Sequence, residues 1–220
     1  MGVIYMKILN FGSLNIDYVY SVDHFVQKGE TISSSQMNIF SGGKGLNQST
    51  ALGRAGAQVF HAGRIGKGGE FLVEQLKEAG VNTDLVVLDS QCSTGHAIIQ
   101  NDAEGDNCIL LYGGANQRIT KEQIDATLDQ FDAGDYLVLQ NETSNLPYLM
   151  EKAAEKQMKI VLNPSPMDEK IKALPLDKVT LFFVNEIEAA QILGQKELES
   201  TQEAAAASAP CSRRQQSSLR

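Results

Sequence analysis

Apolar residues along this chain follow two alternating rhythms. Short continuous apolar runs, of the kind shown by strands buried on both faces, alternate with stretches whose apolar positions recur every three or four residues. Lys7–Phe11 is the first such run and ends in Gly12-Ser13, the pattern of a buried strand entering a loop. Val19–Val22 and Ile32–Phe40 are rich in β-forming residues. After Ser41-Gly42-Gly43-Lys44-Gly45, the residues Leu46, Ala51, Leu52 and Ala55 recur at helical spacing, and Gly56 sits where a helix C-cap belongs. Val59–Arg64 predicts the next strand. Gly69–Ala79, with Phe71, Leu72, Leu76 and Ala79 on one face and Gly80 behind it, predicts an amphipathic helix.

From Gly95 to Tyr112 the rhythm changes. His96–Gln100 and Asn107–Tyr112 flank Asp102-Ala103-Glu104-Gly105-Asp106, which reads as a hairpin. The alternation then resumes with helix Lys121–Phe131, strand Tyr136–Gln140, helix Pro147–Gln157, strands Lys159–Asn163 and Leu181–Val184, and helix Glu186–Leu193. Continuous apolar strands between helices predict an α/β fold, a Rossmann-like parallel sheet with helices on both faces. The early strands and the hairpin fall outside that pattern. They predict a small β lid over one end, built from segments 17–41 and 95–112 of a domain spanning 6–196. Residues 197–220 form a polar, alanine-rich tail with no periodic core face. Such a tail is either disordered or out of frame with the natural protein after Gly194. The second expectation is favoured, because the upstream architecture stops incomplete at its C-terminus.

Composition narrows the function classes. A hydrophobic fraction of 42% can build a core. The net charge of −8 argues against a nucleic-acid binder or a membrane-surface binder, both of which need a basic face. It leaves room for a phosphate held by a helix N-terminus or a single Lys. Cys92, Cys108 and Cys211 are scattered, with neither a CxxC nor a His pair, so no disulfide framework or zinc site is expected. Met1–Lys7 is too short and mixed for a signal peptide, and no apolar run approaches the roughly 18 residues that span a bilayer. A soluble, cytoplasmic protein is expected.

Three constellations could carry chemistry. Gly12-Ser13-Leu14-Asn15-Ile16-Asp17 follows the first strand, at the end of an open α/β sheet where ligands bind. Asn15 and Asp17, two apart in extended chain, face one side and can grip adjacent hydroxyls; an Asx turn would use the same residues. Ser41-Gly42-Gly43-Lys44-Gly45-Leu46-Asn47 brings backbone close to a polyol and opens a helix whose first N–H groups are expected to be free. Lys44 and Asn47 share one face of its first turn. The spacing excludes a P-loop. Asn185-Glu186-Ile187-Glu188 has the form of a capping box, and in a functional reading lies beside a phosphate.

Together with Gly29-Glu30-Thr31, Gly114-Ala115-Asn116 and Leu162-Asn163-Pro164-Ser165-Pro166, these segments resemble, in order, the ribokinase branch of the PfkB-type carbohydrate kinases, from about Met6 to Gly194. The resemblance implies a dimer whose β lids clasp, and ATP-dependent phosphorylation of a pentose, with D-ribose going to D-ribose 5-phosphate. It implies that Asn15, Asp17, Gly42, Gly43, Lys44, Asn47 and Glu142 hold the sugar. Asn185 would serve the nucleotide and Glu188 a hydrated Mg²⁺, with K⁺ expected for the full-length family. Fructose, 2-keto-3-deoxygluconate or adenosine remain alternative substrates, and a non-catalytic sugar-binding module an alternative class.

One departure matters. The family's Gly-Ala-Gly-Asp segment, whose N–H groups and Asp act on the transferred phosphoryl group and the attacking hydroxyl, is not found. Ala133-Gly134-Asp135 precedes a strand and is expected to be a loop. The chain alone is therefore expected to be a poor kinase, and poorly soluble.

Overall fold

The computed structural model describes residues 6–195. In chain order its elements are strands β1 (Ile8–Phe11), β2 (Asn15–Ser21) and β3 (Gln36–Gly42), helix α1 (Lys44–Arg54) and strand β4 (Val59–Lys67). Helix α2 (Glu70–Glu78) precedes strands β5 (Asn82–Ser93), β6 (Gly95–Asn101) and β7 (Asn107–Tyr112). A 3₁₀ turn at Gly114–Arg118 leads to helix α3 (Lys121–Leu128), strand β8 (Tyr136–Gln140) and helix α4 (Leu146–Glu155). Strands β9 (Lys159–Asn163) and β10 (Val179–Phe182) and helix α5 (Glu186–Leu193) complete the described chain.

Six strands form a parallel sheet in the order β10-β9-β8-β1-β4-β5. Strand alternation sends side chains to two cores. Leu9, Phe11, Leu137, Leu139, Ile160 and Leu162 meet α3 and α4 on one face. Val59 and Ile65 meet Leu46 of α1 and Leu72 and Leu76 of α2 on the other. The expected fold class is the one found, with helices on both faces and a second, four-stranded sheet, β3-β2-β6-β7. In that sheet β2 pairs antiparallel with β3 and parallel with β6, and β6 and β7 form the hairpin. Helix cover is uneven. Beyond α1, the strands on that face leave an apolar groove of about 370 Å³ lined by Ile8, Leu52, Val138, Val161, Leu181 and Phe183.

Several boundaries differ from expectation for physical reasons. Strand β2 starts at Asn15, not Val19, because its polar first residues pair with Gly42 and Gly95 on either side. Strand β3 starts at Gln36, not Ile32; the serines before it spend their hydroxyls on the Ser21 carbonyl. Strand β10 lies two residues ahead of Leu181–Val184, its register shifting between Val179 and Leu181. The long strand β5 was not expected at all. It is an edge strand, with polar residues interrupting its apolar stretch and Leu88 facing solvent. The tail 197–220 and Cys211 lie outside the described residues.

Candidate functional site

The loops at the carboxyl ends of β1 and β8 and the turn from β3 into α1 converge on one cleft. At its base is the N-terminus of α1. Gly43, the N-cap, has φ 96° and no side chain to cap with, so the first-turn N–H groups find partners far away in sequence. Lys44 N donates to Glu142 Oε2 at 3.0 Å, Gly45 N to Ser13 Oγ at 3.1 Å, and Leu46 N to the Ser13 carbonyl at 2.9 Å. Ser13 Oγ also donates to Glu142 Oε2. The expectation of free helix N–H groups is therefore corrected, since Ser13 and Glu142 take them.

Two glycines shape the cleft floor. A Cβ on Gly42 would fall on the Asp17 carboxylate, and one on Gly45 would run into the backbone at Gly12-Ser13. Asn15 is buried between Gly42 and Gly95 on the flanking strands. Burial, and then the negative charge of nearby Glu142, raises the Asp17 pKa above the ordinary carboxylate value. Beneath the cleft runs a buried polar chain. Gln140 Nε2 donates to Gln48 Oε1 (2.7 Å) and Asn10 Oδ1 (2.9 Å), and Asn10 Nδ2 donates to the Gly45 carbonyl and Ser49 Oγ, both at 2.9 Å. Ser49 Oγ then meets His61 Nδ1 at 2.7 Å.

The roof of the cleft is the Gly114–Arg118 turn. Asn116, 1% exposed, bonds both the main chain of Leu14 and the side chain of Asn15. Gln117 Nε2 donates to the Glu142 carbonyl at 2.8 Å. The turn is held from behind by Asp89, whose carboxylate accepts from Arg118 at 2.8 Å and Arg64 at 3.1 Å. The hydrogen bond from Arg118 leads the contacts that hold the Asp89 carboxyl well below its usual range. A pocket of about 330 Å³ opens between Asn15, Asn116, Gln117, Asn141, Glu142 and Asp168. Its lining offers amide and carboxylate groups beside Leu111 and Pro166, a mixture that suits a polyhydroxylated ligand.

The structure thus brings Asn15, Asp17, Gly42, Gly43, Lys44 and Glu142 to one cleft. Of these, Asn15 and Glu142 line the pocket itself and the others adjoin it; Asn47 is exposed on the first turn of α1 and outside that lining. Asn185 and Glu188 form a second cluster at the end of β10. There they make a complete capping box, with Glu188 N donating to Asn185 Oδ1 at 2.8 Å and Asn185 N to Glu188 Oε2 at 3.1 Å. Glu188 Oε1 also accepts from Ser165 Oγ. Asn141 links the clusters, bonding the Ser165 and Pro166 carbonyls and Asp168. No group of three His, Cys, Asp or Glu side chains among the described residues could hold a metal ion. A lone carboxylate with both oxygens engaged fits a hydrated Mg²⁺ only through the ion's water molecules. Ser13 and Asn116 were not picked out as site residues from sequence. The signal was present, in polar residues within otherwise apolar or glycine-rich motifs that the fold buries.

A parallel sheet with a polar cleft at its strand ends, beside a second sheet, is the arrangement in which open α/β folds place their ligand sites. Residues 6–215 match the pfkB family carbohydrate kinase. The chain belongs to the pfkB family of carbohydrate kinases. It is 34% identical over 199 residues to the ribokinase of Staphylococcus aureus (strain COL), covering 86% of this chain and 64% of that protein. Against the ribokinase of Bacillus subtilis (strain 168) identity is 33% over 184 residues, covering 81% and 61%. The crystal structure of ribokinase from Cryptococcus neoformans in complex with ADP superposes with a TM-score of 0.78 at 34% identity, over 93% of this chain and 68% of that one. The chain thus spans under two thirds of the length of the curated ribokinases it matches.

Proposed function

We propose that this chain carries the sugar-binding part of an ATP-dependent pentose kinase, with D-ribose as substrate and D-ribose 5-phosphate as product. The observation that carries the reading is the cleft itself. Asn15 and Glu142 line its pocket, and the Asp17 carboxylate packs beside it against Gly42, a set of amide and carboxylate groups suited to vicinal hydroxyls. Lys44 and Gly43 adjoin it through the Lys44 N–H bond to Glu142, and Asn47 sits on the exposed first turn of the same helix. The resemblance to proteins named ribokinase supports ribose over fructose, 2-keto-3-deoxygluconate or adenosine, and the ADP in the Cryptococcus structure supports a nucleotide partner.

Asn185 and Glu188 would face the nucleotide phosphates. Mg²⁺, when bound, would supply charge neutralisation there, with Glu188 orienting its water; a K⁺ ion is proposed only for a full-length member of the family. The exposed apolar β7 edge supports a homodimer joined through the second sheet acting as a lid, in the cytoplasm. Because the sequence contains no Gly-Ala-Gly-Asp segment, the chain by itself is proposed to bind sugar without turning it over. Isothermal titration with D-ribose and the three competitors tests this. Ribose is expected to bind best, and Gly42→Ala, which displaces the Asp17 carboxylate, to abolish binding. Rapid ATP turnover by the pure chain, or equal binding of all four compounds, would refute the proposal.

A further inference from the structure

The orientation of the Asn15 carboxamide can be derived from one unambiguous donor. The Leu14 backbone N–H can only donate, and it lies 3.0 Å from Asn116 Oδ1. That fixes Oδ1 as the accepting end of the Asn116 amide and Nδ2 as the other. Nδ2 reaches the Leu14 carbonyl at 3.3 Å and Asn15 Oδ1 at 2.7 Å. An NH₂ group only donates, so the Asn15 atom facing it must be the carbonyl oxygen. Asn15 Nδ2 is then the end left over. It has no hydrogen-bond partner among the described residues, yet it is not one of the atoms sealed from solvent. Asn15 as a residue is only 4% exposed, and it lines the 330 Å³ pocket.

A separate observation supports the same pair. A Cβ on Gly95 would strike both Asn116 Nδ2 and Asn15 Oδ1. The glycine at the start of β6 is thus the space in which this amide–amide bond forms. The backbone of Asn116 is tied as well, its carbonyl accepting from Ser144 N at 3.1 Å and its N–H donating to the Gly113 carbonyl.

We infer that Asn116 is a positioning residue that sets the hydrogen-bonding polarity of the cleft, locking Asn15 so that it donates to the ligand. The inference rests on the sugar-binding reading above. Asp17 and Glu142 both accept. A hydroxyl has one proton, so a hydroxyl shared with those carboxylates needs a neighbour that donates. Asn116 makes Asn15 that neighbour, though Asn116 itself never needs to touch the sugar.

Two isosteric variants reverse the polarity by different routes. In Asn116→Asp, the new carboxylate oxygen repels Asn15 Oδ1, and the Asn15 amide turns its oxygen to the pocket. In Asn15→Asp, the bond from Asn116 stays while an oxygen replaces Nδ2. Each is expected to weaken D-ribose binding roughly tenfold to a hundredfold, the cost of one unpaired buried polar group. Across singly deoxygenated riboses, both should spare the same compound, the one lacking the hydroxyl that Asn15 meets.

Isotope-labelled full chain provides a readout independent of sugar. A through-hydrogen-bond scalar coupling from Asn116 Nδ2 to Asn15 Cγ is expected in the wild type. Absence of that coupling overturns the inference even if Asn116→Asp fails to fold. Uniform weakening for every ribose analogue also overturns it, since a merely structural residue would act that way. Failure of the wild type to bind any of the sugars while the coupling is present would instead overturn the function proposed above and leave the amide orientation standing.

Discussion

At the scale of single residues, His61 is the group whose chemistry the fold changes most. It is fully buried on β4, its Nδ1 meets Ser49 Oγ, and its Nε2 finds no hydrogen-bond partner of good geometry among the described residues. Burial lowers its pKa from 6.5 to about 4, an effect the nearby Gly12 carbonyl offsets only in part. Between those values the unfolded chain takes up a proton that the folded one refuses. The stability contribution is therefore complete above pH 6.5, declines as pH falls towards 4, and is fully lost below it. The shift corresponds to about 3 kcal/mol. Urea midpoints of the wild type and His61→Gln, compared at pH 7.5 and 4.5, isolate this from other titrations. The wild type should lose more stability on acidification than the variant, and equal losses would show that His61 is not the group responsible.

At the scale of elements, the caps separate what local sequence can encode from what it cannot. Asn185 and Glu188 lie three apart, and their capping box forms as the spacing predicts. Thr120 caps α3 through Gln123 N in the same local way. Helix α1 is different. Its cap comes from Ser13 and from Glu142, 98 residues beyond Lys44, and no spacing rule reveals such a pair. Strands follow the same division. The ends of β8 and β9 match the predicted Tyr136–Gln140 and Lys159–Asn163, because buried central strands show as bounded apolar runs. Strand β5 was illegible because polar residues, the buried Thr83 and Asp89 among them, interrupt its apolar run. Asn116 was legible only as part of a motif, since its partners at Leu14 and Asn15 lie about a hundred residues away. The capping box supports a test of its own. Asn185→Ala should cost about 1 kcal/mol, concentrated in faster amide exchange across α5. If α5 exchange is unchanged, the box contributes nothing to the helix, and the case for a phosphate-side role of Asn185 would stand on the resemblance alone.

At the scale of the whole molecule, two of the apolar surfaces left open among the described residues differ in kind. One is the groove on the parallel sheet, where Leu181 and Phe183 are 45% and 58% exposed. The other is β7, the hairpin strand at one edge of the second sheet. Ile109, Leu110, Leu111 and Tyr112 are all exposed, and because successive residues point to opposite faces, both faces of that strand are bare. An edge strand of this kind also presents unpaired backbone groups, so it gains more from a partner than a groove that only offers apolar side chains. Self-association should therefore run through β7. Sedimentation velocity at micromolar concentration is expected to show a dimer for the wild type and for Phe183→Lys. Leu110→Lys should give a folded monomer, because that side chain lies outside both cores, with a lower melting temperature only by the amount that association contributed. A dimer that survives Leu110→Lys but dissolves in Phe183→Lys would move the interface to the groove and remove the support for a clasp between lids.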